Sequence, residues 1–263
     1  MKKLLAGLAV AVGLALGAGA AQAEQVKIGF SPEAYPPFWS QDASGSWGGW
    51  EVEIINAICA EQKLDCVLTP IPWDGLIPAL GTKKIDAIMN SMSITDERKK
   101  TIDFSDKYYN TPTAVIGSKD AKFDATPEGL KGKIIGVQVS TVHAAYAKKH
   151  FTEAAEIKEY QTQDEANQDL TAGRIDATQA DSIALDAFLK SDAGKACCDM
   201  KGYVAPDDEV LGPGVGAGVR KDDAALKDKL NAGIKAIRDN GKYAEITKKY
   251  FDFDVYGAEG QTN

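Results

Sequence analysis

The stretch Leu80-Gly-Thr-Lys-Lys-Ile-Asp-Ala-Ile-Met-Asn-Ser-Met-Ser-Ile-Thr-Asp-Glu-Arg98 decides how this chain is read. Ile85 to Met89 is a short apolar run of the kind that forms a buried strand. It ends in a polar turn, Asn90-Ser91-Met92-Ser93. A helix opens at Thr95, with Asp96 and Glu97 in its first turn, where acids suit the helix dipole. Arg98 shares that turn, where a cation is disfavoured, so an anionic partner is expected. One candidate is local, Asp96 or Glu97. The other is a ligand carboxylate held by the guanidinium fork and by N–H groups of the polar turn.

The pattern returns about one lobe later. Leu170-Thr-Ala-Gly-Arg-Ile-Asp-Ala-Thr-Gln179 repeats the helix end, the basic turn and the Ile-Asp-Ala strand, and leads to a polar turn at Asp181-Ser182. Strand and helix signals alternate around both copies. Val26–Phe30, Cys66–Ile71, Thr113–Gly117, Lys133–Val137, Glu156–Tyr160 and Gly214–Val219 read as strands. Gly48–Lys63, Asp74–Thr82, Thr141–His150, Gln163–Ala172, Asp222–Asn240 and Lys242–Tyr250 read as helices. Such alternation predicts an α/β fold of two similar lobes, each a mainly parallel sheet flanked by helices. Ligands of open α/β sheets bind at the carboxyl ends of strands, so facing lobes would bring both polar turns to one cleft.

Lys2 and Lys3 precede an apolar run from Leu4 to Ala21, followed by small residues at Ala21-Gln22-Ala23. This is the layout of a signal peptide, expected over residues 1–23, and it implies export to the periplasm. Composition is that of a folded globular protein, 44% hydrophobic and 26% charged. Loss of Lys2 and Lys3 would take the formal charge from −8 to −10. That acidity argues against nucleic acid or an anionic membrane surface as partner. Export permits disulfides, and a bridge from Cys59 to Cys66 would pin a helix end to the next strand. Cys197 and Cys198 are adjacent, where a disulfide is geometrically strained. His143 and His150 show no metal spacing, and neither a metal nor a cofactor is expected.

These residues carry a resemblance. Ala34-Tyr-Pro-Pro-Phe38, Gly49-Trp-Glu-Val-Glu53, the Cys59/Cys66 spacing, Trp73-Asp-Gly-Leu-Ile-Pro78, Ser91-Met-Ser-Ile-Thr-Asp-Glu-Arg98, Ile102-Asp-Phe-Ser105, Leu130-Lys-Gly-Lys133, Gly173-Arg-Ile-Asp-Ala177, Gly216-Ala-Gly-Val-Arg-Lys-Asp222 and Lys249-Tyr-Phe251 occur in this order. Together they resemble the polar amino-acid-binding proteins of ABC importers, solute-binding protein family 3. Within it, the lysine/arginine/ornithine-, histidine- and opine-binding receptors are most similar. The resemblance implies the two-lobed periplasmic binding protein fold of type II. Residues 24–111 with 206–263 would form lobe 1 and residues 112–205 lobe 2. Two hinge strands would join them near Asn110-Thr-Pro-Thr113 and Met200–Pro206. A monomeric receptor that meets the importer's membrane subunits is implied.

The resemblance also implies roles. Arg98 would grip a ligand α-carboxylate, helped by Ser91 and Ser93, with Asn90 beside them where a serine is usual. Asp181 would accept from the α-ammonium. Tyr35 and Trp73 would sandwich the ligand side chain. The turn Ser140-Thr141-Val142 would add N–H donors. Glu33 follows one extra residue relative to the family's acid that meets a basic side chain. His143 stands where glutamine is common. Read without the resemblance, Asp181 and Thr141 are helix caps, Tyr35 and Trp73 core aromatics, and His143 an exposed first-turn residue.

A basic amino acid (lysine, arginine or ornithine) or an arginine-derived opine is the expected ligand, with histidine or a polar neutral amino acid as the alternative. An enzyme of this fold, such as a dehydratase using Glu33 or His143, is the competing class. No nucleophile–base pair supports it, and no enzymatic activity is expected. A ligand sensor for a separate signalling receptor is the third class.

Overall fold

The computed structural model describes residues 24–257. The expected signal peptide, residues 1–23, lies outside the described residues. The chain begins with β1 (Glu24–Phe30), the hairpin β2 (Ser40–Gln41) and β3 (Trp47–Gly48), α1 (Trp50–Glu61) and β4 (Leu64–Pro70). It continues through α2 (Leu76–Gly81), β5 (Ala87–Ile88), α3 (Asp96–Lys99) and β6 (Asp103–Tyr109). The middle of the chain holds β7 (Thr113–Ser118), β8 (Ile134–Gln138), α4 (Val142–His150), β9 (Glu156–Tyr160) and α5 (Gln163–Thr171). There follow β10 (Ala177–Asp181), α6 (Ser182–Leu189), α7 (Asp192–Cys197) and β11 (Cys198–Tyr203). The chain then passes through α8 (Asp208–Leu211) and β12 (Val215–Val219) and closes on α9 (Ala224–Asp239) and α10 (Lys242–Thr247).

Two five-stranded sheets result, in the orders β4-β1-β5-β12-β6 and β9-β8-β10-β7-β11. In the first, β1 is parallel to β4 and β5, while β12 runs against β5 and β6. In the second, β8 is parallel to β9 and β10, while β7 runs against β10 and β11. Four strands of each sheet therefore run one way. The reversed strand is in each case the first strand entered after the chain crosses between sheets. The two Ile-Asp-Ala strands, β5 and β10, occupy the middle of their sheets, as their echo in sequence predicts.

Four strands are not legible in the sequence, the short hairpin strands β2 and β3 and the longer β6 and β11. β6 and β11 are edge strands, and neither alternates cleanly between buried and exposed residues. Met200–Tyr203, expected in the second crossing, is instead paired with β7. The chain crosses at 110–112 and again at 212–214, after α8, whose Leu211 lies with Val204 in the core of the second sheet.

Each sheet is covered on both faces. One side of the first sheet packs against α1, α9 and α10 around Ile28, Ile54, Ile58, Leu230 and Ile234. Leu76, Leu80, Ile88 and Ile102 fill the other side. Ile183 and Ala184 of α6 join the first of these clusters, so the core runs across the junction between lobes. Gly49 enters α1 at φ +124°, and a Cβ there would lie 2.4 Å from the Phe38 carbonyl oxygen, so only glycine fits.

Cys59 in α1 is bonded to Cys66 in β4, as expected. The bridge spans seven positions, and closing so short a loop stabilises by about 2–3 kcal/mol. Replacing both by alanine is expected to lower the urea midpoint accordingly at unchanged slope. An unchanged midpoint would show that α1 and β4 hold this corner alone. Cys197 and Cys198 are bonded to each other at the junction of α7 and β11.

Candidate functional site

The carboxyl ends of β1, β5, β8, β9 and β10 converge on one cavity between the lobes. Counting its open mouth, it holds about 600 Å³ of space between atoms. Glu33, Tyr35, Trp73, Asn90, Ser91, Ser93 and Arg98 line it from the first lobe. Thr141, His143 and Asp181 line it from the second. All ten residues singled out in the sequence are brought together. Their spacing in the chain is explained by topology, since each sits at or just beyond a strand end or on the helix that follows.

Arg98 does not use its local acids. Asp96 pairs with Lys99 at 3.4 Å and Glu97 with Lys100 at 2.6 Å, each three positions on. Thr95 caps α3 by accepting from the Arg98 N–H, which holds the residue at the cavity wall. The guanidinium donates to two carbonyl oxygens, Ser93 at 2.8 Å and Ser140 at 3.2 Å. It lies over the Trp73 ring, 5.4 Å from the centroid. Among the described residues no carboxylate is within ion-pair distance of it. Burial pushes its pKa down to about 10, opposed by the Asp181 charge, so it stays cationic at neutral pH.

Asp181 supplies the opposite charge. It is 8% exposed and precedes α6, yet its side chain makes no cap to that helix. Instead Tyr35 donates its hydroxyl to Oδ2 at 2.8 Å, and His143 Nε2 lies 3.4 Å from Oδ1. Burial, and then the neighbouring Asp181 charge, raise the Tyr35 hydroxyl well above its usual range, so it remains a donor. His143 is 6% exposed rather than a solvated first-turn residue, and its Nδ1 faces the Thr113 hydroxyl at 3.3 Å. Thr141 does cap α4, accepting from Ala144 N–H at 3.0 Å, and donates to the Gln138 carbonyl at 2.7 Å.

The two cavity turns share an unusual backbone. Ser91, after β5, has φ +50°, and Ser140, after β8, has φ +59°. Non-glycine residues held left-handed cluster at functional sites. The Ser91 N–H, expected to face a ligand carboxylate, is committed elsewhere. It donates to Glu51 Oε1 at 2.9 Å, and the Ser91 hydroxyl donates to Oε2 at 3.2 Å. Asn90 Oδ1 accepts from Ser31 N–H, and Glu33 accepts from the Ser31 hydroxyl, so Ser31 ties the loop after β1 to the turn after β5. The Trp73 indole N–H is buried without a hydrogen-bond partner among the described residues.

Several participants went unnoticed in the sequence. Gln138, Thr162, Gln163 and Asp164 line the second-lobe wall, and Ser31, Ala34 and Trp39 the first. Glu51 lies beneath Ser91 and is fully buried. A signal for it existed. Glu51 stands at helical spacing from Ile55 and Ile58, on the apolar face of α1, where an acid calls for a partner.

Two α/β lobes enclosing a cavity lined by opposite charges from opposite sides define a two-lobed solute-binding protein. The chain belongs to the bacterial extracellular solute-binding proteins, family 3, which matches residues 26–253. The L-arginine-binding protein of Pseudomonas aeruginosa is 47% identical, covering 98% of this chain and 100% of that protein. The lysine/arginine/ornithine-binding periplasmic protein of Escherichia coli is 40% identical over the same shares of the two chains. Among solved structures, an ancestral arginine-binding protein bound to arginine superposes with a TM-score of 0.79. It is 31% identical and covers 88% of this chain and 99% of that one.

Proposed function

We propose that this protein is the periplasmic receptor that binds a basic amino acid in the interlobe cavity and delivers it to an ABC-type importer. The observation that carries this reading is the separation of charges. Arg98, without an ionic partner among the described residues, stands on one lobe, and Asp181 on the other. A free amino acid is a zwitterion, and burying it is unfavourable unless both charges are met. Arg98 takes the α-carboxylate and Asp181 the α-ammonium, so both are satisfied only when the lobes close.

Closure has contacts ready to support it. Tyr35 to Asp181 and Arg98 to the Ser140 carbonyl already join the lobes. A ligand that binds the closed state better shifts the population towards it, and the segments at 110–112 and 212–214 serve as the hinges. The importer's membrane subunits then distinguish loaded from unloaded receptor by shape. Arginine is the preferred ligand, supported by the similar proteins and by Glu33 at the cavity wall.

A thermal-shift screen of amino acids against ligand-stripped protein tests the reading. Arginine at 100 to 1,000 times its Kd should stabilise by about 3–4 kcal/mol through mass action. Recovery of arginine unchanged after incubation separates a receptor from an enzyme. Asp181→Asn is expected to weaken every α-amino ligand, because it removes the charge facing a group they share. Glu33→Gln should weaken only cationic side chains. Calorimetry with arginine and citrulline checks both, and an unchanged ratio of the two affinities in Glu33→Gln would remove Glu33 from selectivity.

A further inference from the structure

Beneath the cavity floor lies a carboxyl that does not line it. Glu51, on α1, is fully buried and accepts three groups: the Ser91 N–H, the Ser91 hydroxyl and the Tyr108 hydroxyl. The Tyr109 hydroxyl in turn donates to Ser91 Oγ. A serine hydroxyl has one proton and two lone pairs. Here the proton goes to Glu51 and one lone pair is taken by Tyr109. What Ser91 can still offer the cavity is a lone pair.

We propose that Glu51 is a positioning residue that turns Ser91 into an acceptor for the ligand's ammonium group, and that it releases a proton when a cationic ligand binds. This rests on the receptor reading above. The second acceptor for that ammonium is Asp181, whose Oδ2 also accepts from the Tyr35 hydroxyl, and two acceptors facing one point favour a group that only donates.

The proton follows from the surroundings of Glu51. Tyr108 and Tyr109 face it from β6 and Ser91 from the turn after β5, and the Asp181 charge reaches it from β10. Burial, opposed by the three hydrogen bonds and helped by the Asp181 charge, pushes the Glu51 carboxyl up to about 7. A cation arriving beside Ser91 and Asp181 favours the ionised carboxylate and lowers that pKa. Near neutrality the free protein therefore holds more protons on Glu51 than the complex does. Affinity must then rise with pH through this range, by up to about tenfold per unit for one proton released.

Calorimetric titration of ligand-stripped protein with arginine at pH 6, 7 and 8, in buffers of different ionisation enthalpy, counts the protons directly. The wild type is expected to gain affinity severalfold from pH 6 to 8 and to release protons. His143 also faces Asp181, so the titration is repeated in His143→Gln, and loss of the proton release in that variant would overturn the assignment to Glu51. Glu51→Gln should bind more weakly and release no proton. Tyr108→Phe removes a hydrogen bond to the ionised carboxylate without touching the cavity, and should move the profile to higher pH. It keeps the test decisive if Glu51→Gln does not fold. Arginine binding with no proton release, or a profile that Tyr108→Phe leaves in place, overturns the proposal and leaves the receptor reading standing. No arginine binding by the wild type at any pH overturns both.

Discussion

Arg98→Ala is expected to weaken binding of every amino acid by about 30-fold to several thousandfold, whatever its side chain. The α-carboxylate is common to all of them, and Arg98 is a cation facing the cavity that has no ionic partner among the described residues. Removing one member of a buried charge-assisted pair costs about 2–5 kcal/mol, because the other charge stays buried and unmet. A receptor that holds its ligand at 1 μM would then bind at about 30 μM to several mM. The fold should survive. Arg98 donates only to carbonyls at the cavity wall, and the α3 cap runs through its backbone N–H, which alanine keeps. Calorimetry with arginine checks the loss, and an unchanged circular dichroism spectrum checks the fold. Wild-type affinity in a folded Arg98→Ala protein would remove the residue from the site.

Trp50→Ala is expected to give the largest loss of stability. Trp50 opens α1, is fully buried and packs edge-on against Tyr109 at 4.9 Å and Tyr243 at 5.8 Å. Its indole N–H donates to the Thr247 hydroxyl at 3.1 Å, tying α1 to α10. Truncating a buried tryptophan costs about 3–5 kcal/mol, from lost transfer energy and from the cavity left behind. Urea unfolding should show a lower midpoint at unchanged slope. Binding should weaken as well, because Trp50 supports Tyr109, whose hydroxyl holds Ser91. A loss below about 1 kcal/mol would mean that α10 and β6 close over the gap.

The limits of sequence reading fall at particular residues. Ile85-Asp-Ala and Ile175-Asp-Ala announced β5 and β10 because a buried central strand is an apolar run bounded by turns, a local signal. Asp103–Tyr109 and Cys198–Tyr203 gave no such signal. An edge strand is ordered by the neighbour it pairs with, β12 for one and β7 for the other. Arg98 was conspicuous because a cation in the first turn of a helix breaks a local rule. Glu51 broke a rule too, as an acid on an apolar face, but its partners Tyr108 and Ser91 come from other elements.

The sequence by itself determined the alternation of strands and helices, the repeated half, the disulfide between Cys59 and Cys66 and the family to which the chain belongs. Each is written in spacing, periodicity or ordered motifs, which depend on neighbours along the chain. Only the tertiary structure decided what the site residues do. It joined Tyr35 to Asp181 across 146 positions, turned Arg98 from Asp96 and Glu97 towards the cavity, and committed the Ser91 donors to Glu51. A hydrogen bond between residues so far apart leaves no periodic trace in the chain, because what brings them within 3 Å is the packing of two lobes.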